Sequence, residues 1–396
     1  MATYHVLPLI PGKEANVGFK HPWVFSGALA KVDEKAKHGS LVHVVDRNGK
    51  IIGTGTYSNK SSIAVRVFAF GDAMIDRAWF EAKLKAADER RRLMGYGPGT
   101  DTTGYRVCFG EADGIPGLVV DRYEDVFVFQ IGTAGLDALR EDVIGALLDV
   151  FHPKALVERS DMASRREEGL EPFSAVHVGD EPAPITFKEN GLTFVADVVN
   201  GQKTGFFFDQ KDLRQAVRGL AKGSVLNLFS YSGATGVYAM AGGADHVHNV
   251  DGSEAALTLC EKNAVANALK TDAFTTQETD AFDFLNVNKD SQYDTVMIDP
   301  PALIKSGKDA EEGKKAYHFL NRAAMRLVKD GGIFVTSSCS HFLPEEDLMF
   351  ILRRASVQAG LHLDVLASVR QAADHPQSVY FPEAQYLKSF IFRVTR

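Results

Sequence analysis

The chain has 396 residues, 45% of them hydrophobic and 24% charged, with a net charge of -7. At about one to two hundred residues per domain, this predicts two or three domains of an ordinary soluble globular protein. The acidic balance excludes a broadly basic surface, so any RNA contact has to come from local patches.

No run of about eighteen apolar residues is present to span a bilayer. The start MATYHVLPLIPGKEA lacks the basic and apolar stretches of a secretion signal, so a cytoplasmic location and no membrane partner are expected. Three well-separated cysteines, Cys108, Cys260 and Cys339, fit neither a disulfide framework nor a zinc site. No metal is expected.

Residues 1–71 alternate short apolar runs with turn signals, predicting a small β-rich module. LVHVV and KIIGTGTY flank Asn48-Gly49 and predict a hairpin. In GFKHPWVFSGALAK, the rings of Trp23 and Phe25 are expected to fill a small barrel core, with Lys20 and its neighbours His21 and Trp23 as candidate RNA contacts.

Over 72–190 the texture becomes mixed. IDRAWFEAKLKAADERRRLMG predicts an amphipathic helix ending in Arg90, Arg91 and Arg92. Positive charge suits a helix C-terminus, so the three arginines read either as a solvated end or as a basic patch for RNA. PGLVVDRY and VFVFQI predict a strand pair, LDALREDVIGALLDVF a second helix, and ALVERSD another strand, together an α+β middle domain.

From 191 to 396 the pattern is regular. VLNLF, HVHNVD, AFTTQETD, DTVMIDP, GIFVTSSC, LDVLASV and LKSFIFRV are seven strand candidates, the earlier ones separated by helical stretches. This predicts an α/β, Rossmann-like, mostly parallel doubly wound sheet, its last two strands an antiparallel pair at the edge.

In such a sheet the ligand lies beyond the carboxyl ends of the strands. After VLNLF come Ser230, Tyr231, Ser232 and Gly233, small and polar but for the tyrosine, which predict a tight loop opening a helix. Three later strands run into acids. Asp251, eighteen residues after Gly233, suits a ribose diol; Asp280 suits the neighbourhood of an adenine; Asp299 opens Asp-Pro-Pro. Each taken singly also reads as a helix cap or turn former. The loop is not GxGxxG and no Walker lysine follows, which disfavours a dinucleotide or a nucleoside triphosphate. A nucleoside without pyrophosphate, such as S-adenosylmethionine, needs only amides and carboxylates. Asn227, Phe229, Gly252, Ser253, Ala281 and Pro300 border the same strand ends and join the expected cofactor site.

LNLFSYSGATG, VDGSEAALTLCEKNAVANAL, MIDPPA and FVTSSCS resemble successive motifs of class I methyltransferases. HPWVFSGA, YRVCFGEADGIPGLVVDRY, GQKTGFFFDQKDLR and RQAADHPQSVYFPEAQYLKSF are similar, in order, to the ribosomal RNA large subunit methyltransferase I family, and the likeness covers nearly the whole chain. That family makes 5-methylcytosine in 23S ribosomal RNA. It combines an N-terminal PUA domain, here 1–71, with a middle domain, 72–190, and a catalytic domain, 191–396. The resemblance implies that Lys203, Thr204, Gly205, Phe206, Asp209 and Gln210 help enclose the methionine end of the cofactor.

Carbon 5 of cytosine is a poor nucleophile, so a thiolate is first needed at carbon 6. Cys339, at the end of GIFVTSSC, is the expected nucleophile, and Asp299 the group that hydrogen-bonds the cytosine ring nitrogen. Ala302 follows the two prolines where amine methyltransferases commonly place a stacking aromatic. No second cysteine follows those prolines, so proton removal from carbon 5 must use another base. Two alternatives stay open: methylation of another RNA base atom, such as a guanine ring nitrogen, with Cys339 structural, and a non-catalytic RNA-binding assembly factor. The sequence leaves open whether the chain acts alone or as a homodimer.

Overall fold

The computed structural model describes residues 4–289 and 292–396. They form two compact units: Met1–Ile185 with Asp197–Phe206 and Asp374–Ala384, and Thr186–Ala196 with Phe207–Ala373 and Gln385–Arg396.

The first unit contains two five-stranded sheets. One orders its strands His5–Pro8, Leu41–Val45, Ile51–Tyr57, Ile63–Ala69, Trp23–Phe25, over a core that includes Leu7, Val42, Val44, Val65 and Val67. The expected hairpin forms because Asp46 Oδ1 accepts the amides of Asn48 (2.8 Å) and Lys50 (2.9 Å) while Gly49 takes φ +78°. The expectation that Trp23 and Phe25 fill the barrel core is corrected. Phe25 is 43% exposed, and half-buried Trp23 donates its indole N–H to Glu111 (2.8 Å) and meets Phe381 edge-on at 4.8 Å. Valine, leucine and alanine side chains already fill this core, which leaves the large rings at its margin.

The second sheet orders Phe173–Val178, Ala155–Ser160, Val126–Ile131, Leu118–Tyr123, Gly104–Phe109. Its first and last strands were not anticipated. Gly104–Phe109 is buried at five of six positions and so shows no alternation; Phe173–Val178 is an edge strand with no buried residue. The expected helix Arg77–Leu93 is present, and Asp76 caps it by accepting the Trp79 amide at 2.9 Å. Its three arginines diverge. Arg91 is 1% exposed; its Nη1 and Nη2 donate to the two carboxylate oxygens of Asp113 (2.7 Å each), Nη2 also donates to Asp374 O, and Nε donates to Arg106 O. The expectation of an RNA contact is therefore corrected for Arg91, which is interior and fully committed. Arg90 and Arg92 reach solvent while pairing with Asp113 and Asp88.

The second unit is built on a seven-stranded sheet: β1 (Gly223–Leu228), β2 (Ala244–Asp251), β3 (Phe274–Glu278), β4 (Tyr293–Ile298), β5 (Val328–Ser338), β6 (His362–Val369) and β7 (Lys388–Thr395). Its spatial order is β3-β2-β1-β4-β5-β7-β6. β1 to β5 pair in parallel, while β7 runs antiparallel between β5 and β6. The expected mostly parallel sheet, with an antiparallel pair at one edge, is thus observed. The order reverses between β1 and β4, the switch point beyond which open sheets bind ligands. Helices such as Ala310–Arg326 and Glu345–Ala359 bury Tyr317, Leu320, Leu348 and Leu352 against Val296, Ile298 and Phe334 of the sheet.

Candidate cofactor and catalytic site

The loop after β1 is held in an unusual backbone. Phe229, Tyr231 and Gly233 take φ of +59°, +46° and +69°. For the two non-glycine residues such angles cost on the order of 1–3 kcal/mol each, and they persist only where the surroundings impose them. Here the surroundings do so. The Ser230 amide donates to Val250 O (3.1 Å), the Tyr231 amide to Asp251 Oδ2 (2.8 Å), and the Gly233 amide to Ser230 O (2.8 Å). Asn263 Nδ2 secures Ser232 O at 2.8 Å, and below the loop Asn227 Nδ2 donates to Asn249 Oδ1 at 2.9 Å. Only glycine fits at 233, since a Cβ there would lie 2.2 Å from Cys260 Sγ. Among the described residues the buried Ser230 Oγ has no partner.

Asp251, at the end of β2, also accepts the Ser253 amide through Oδ1 (3.0 Å), so one carboxylate fixes both flanks of this corner. Gly252 is exposed, and Ser253 caps helix Glu254–Ala266 through the Ala256 amide. Asp280 lies two residues beyond β3 and caps helix Ala281–Val287, its Oδ1 accepting the Phe282 (2.8 Å) and Asp283 (3.4 Å) amides. It is exposed, whereas Ala281 is buried.

Asp299 follows β4 directly, ahead of buried Pro300. Gln210 Nε2 donates to Asp299 Oδ2 at 2.9 Å, and Gln210 Oε1 is a second buried acceptor without a partner among the described residues. Next to it, Asp209 Oδ2 accepts from Tyr386 Oη (2.6 Å), a residue the sequence did not single out. Phe207 packs edge-on against Tyr231 at 5.2 Å. The partnerless buried hydroxyl of Ser230, the buried Gln210 Oε1 and the Asp251 carboxylate, set around a strained loop, form a polar set that fits a nucleoside bearing an amino acid.

The four residues preceding Phe207 belong to the first unit. There Thr204 is fully buried and donates to Asp121 Oδ2 (2.5 Å), Gly205 takes φ +120°, Phe206 is buried, and Lys203 is exposed. In the same unit His21 pairs with Glu383 (3.2 Å), and Lys20, at φ +61°, lies 5.5 Å from the centre of the Tyr380 ring.

Cys339 stands one residue past β5, beside β4 in the sheet, and is partly exposed. Its neighbours are interior. Ser338 Oγ donates to Tyr317 Oη (2.9 Å), which also lies 2.9 Å from Ser340 Oγ, and all three side chains are buried. Cys108 and Cys260 differ, for both are buried and burial pushes their thiols far up. Among the described residues no three His, Cys, Asp or Glu side chains are grouped to hold a metal, and no helix is long and apolar enough to cross a membrane.

Residues 7–70 match the model of a PUA-like domain, and residues 171–393 match that of an S-adenosylmethionine-dependent methyltransferase. The proteins named ribosomal RNA large subunit methyltransferase I from Shewanella amazonensis and Pseudoalteromonas translucida are 37% and 36% identical to this chain. These matches cover 98% and 97% of this chain, and 99% and 98% of those proteins. The chain belongs to that family. The fold agrees. A Streptococcus mutans protein assigned as a SAM-dependent methyltransferase superposes with a TM-score of 0.84 at 21% identity, covering 98% of this chain and 100% of that one. A second solved methyltransferase fold, complexed with SAH, gives 0.84 at 20% identity over 99% and 100% of the two chains. The cofactor of the family is therefore S-adenosylmethionine.

Proposed function

We propose that this member of the family methylates carbon 5 of a cytosine in 23S ribosomal RNA, with Cys339 as nucleophile. Methylation of large-subunit ribosomal RNA follows from the names of the full-length relatives. The observation that carries the finer reading is the pairing of Asp299 and Cys339. They follow the ends of adjacent parallel strands, and Cys339 alone of the three cysteines is partly exposed.

When bound, S-adenosylmethionine supplies an electrophilic methyl on a sulfonium. Ser230, Gln210 and the loop Phe229–Gly233 are proposed to hold it, together with Asn227, Asp251, Gly252, Ser253, Asp280, Ala281, Asp299 and Pro300. Lys203 to Phe206 and Asp209 are proposed around its methionine end. The Cys339 thiolate adds to carbon 6 of the extruded cytosine, and the ring electrons move toward carbon 5, while the Asp299 carboxyl, oriented by Gln210, hydrogen-bonds the ring nitrogen. Carbon 5 becomes the methyl acceptor. Loss of its proton to a base and expulsion of the thiolate then restore the ring and free Cys339.

The two five-stranded sheets, one drawn from strands within 5–69 and the other from strands within 104–178, support a division into 1–71, 72–190 and a catalytic domain at 191–396. Solvent-reaching Lys20, Arg90 and Arg92, and half-buried His21 and Trp23, are proposed as backbone contacts to RNA, and the cytoplasm as the location. The test supplies labelled S-adenosylmethionine and unmodified 23S ribosomal RNA to the wild type and to Cys339→Ala. Transfer should vanish in the variant; transfer retained by it overturns the adduct mechanism. Mass mapping of 23S ribosomal RNA from cells lacking the protein gives the base and atom.

A further inference from the structure

Opposite the end of β5, one cation is buried. Lys388, the first residue of β7, pairs across the sheet with Ser338 and is only 7% exposed. Its Nζ donates to Ser340 O at 2.7 Å and Leu343 O at 2.8 Å. Two of its three N–H donors therefore close the turn that carries Cys339, one carbonyl belonging to the residue immediately after the cysteine. A lysine used only to fasten a turn would ordinarily be replaced by a neutral donor, because burying an ammonium without a carboxylate is costly. No carboxylate contacts Nζ among the described residues. The Glu345 carboxylate nearby is paired with Arg370 at 2.8 Å.

We propose that Lys388 is a positioning residue that keeps Cys339 as a thiolate, its ammonium supplying the opposite charge that the sulfur needs. This rests on the reading of Cys339 as nucleophile. The thiol gives its proton to solvent, Lys388 keeps its three, and the third N–H remains for the anionic sulfur. The geometry separates the tasks: the serine–tyrosine hydroxyls fix the backbone on either side, and the ammonium sets the charge. The electrostatics agree in direction. Burial lowers the Lys388 pKa, charge on Cys339 acts to raise it, Glu345 adds to that, and Arg370 opposes it. The other titratable groups around the turn are Tyr317, whose phenol is pushed up first by burial and also by charge on Cys339, Asp299 after the adjacent strand, and His341 two residues on. Tyr317 and Asp299 carry no positive charge in either protonation state.

Iodoacetamide alkylation of Cys339 across pH, read by peptide mass without RNA, tests this. In the wild type the midpoint is expected below that of an ordinary thiol, about 8.5. Lys388→Met should raise it by about one unit or more, the scale of a neighbouring opposite charge. Lys388→Arg, which keeps the charge, should restore most of that shift, with S-adenosylmethionine affinity in both variants reporting an intact fold. A wild-type midpoint at or above 8.5 overturns the inference whether or not the variants fold, and so does an unchanged midpoint in folded Lys388→Met. Cys339→Ala with ribosomal RNA tests the nucleophile separately. A cysteine needed for transfer but with an ordinary midpoint leaves the nucleophile standing and removes the role of Lys388.

Discussion

The amide of Tyr231 and Oδ2 of Asp251 lie 2.8 Å apart, joining the strained loop after β1 to the end of β2. One carboxylate thereby holds both a left-handed residue and, through Oδ1, the amide of Ser253. Replacing Asp251 with Ala removes two charge-assisted hydrogen bonds and the acceptor proposed for the ribose. Isothermal titration should show S-adenosylmethionine affinity falling by about 10- to 100-fold, which corresponds to about 1.5–3 kcal/mol. Unchanged affinity would remove Asp251 from the cofactor site.

Gly233 is constrained twice, by a φ of +69° and by Cys260 Sγ, which a Cβ would approach to 2.2 Å. Gly233→Ala should cost about 1–3 kcal/mol in urea denaturation. Adding Cys260→Ala should recover only part of this, because it removes the clash and leaves the backbone angle. Full recovery would mean that the angle carries no strain.

Native-state alkylation should separate the three cysteines. Cys108 and Cys260 are buried and their thiols are raised by burial, so peptide mapping after iodoacetamide at pH 8 should find the label on Cys339. Comparable labelling of Cys260 would show that the loop above it opens.

The ion pair of Arg91 and Asp113 predicts an acid limb of stability. Burial alone would raise the Asp113 pKa, but hydrogen bonding and charge from Arg91, with Arg90 adding, outweigh it and hold the carboxyl below its ordinary value. A lowered folded pKa stabilises above the unfolded value of about 3.9 and is lost as pH falls through the folded one. Asp113→Asn should cost about 3–5 kcal/mol at pH 7 by stranding a buried guanidinium, and the gap from wild type should narrow below about pH 4. Urea melts at pH 7 and pH 3 measure it; a gap that does not change with pH would sink this account.

The sequence by itself determined the elements whose cause is local. Alternating or continuous apolar runs specify most strands of the seven-stranded sheet, though not β3, Asn48-Gly49 specifies its hairpin, and the small residues after β1 specify the loop. The motifs were enough to name a family, and acids near strand ends were enough to suggest a nucleoside. What the tertiary structure decided depends on partners distant along the chain. The triple arginine reads as one patch, but only packing puts Arg91 inside against Asp113 while Arg90 and Arg92 reach solvent. Edge strand Phe173–Val178 has no buried face to leave a period, and interior strand Gly104–Phe109 has no exposed one. The pairing of Ser338 with Lys388 spans fifty residues, and the bond from Tyr386 to Asp209 spans 177. Cross-sheet register and side-chain burial are properties of the assembled fold, so no local pattern encodes that a lysine in YLKSF stands beside the cysteine in SSCS.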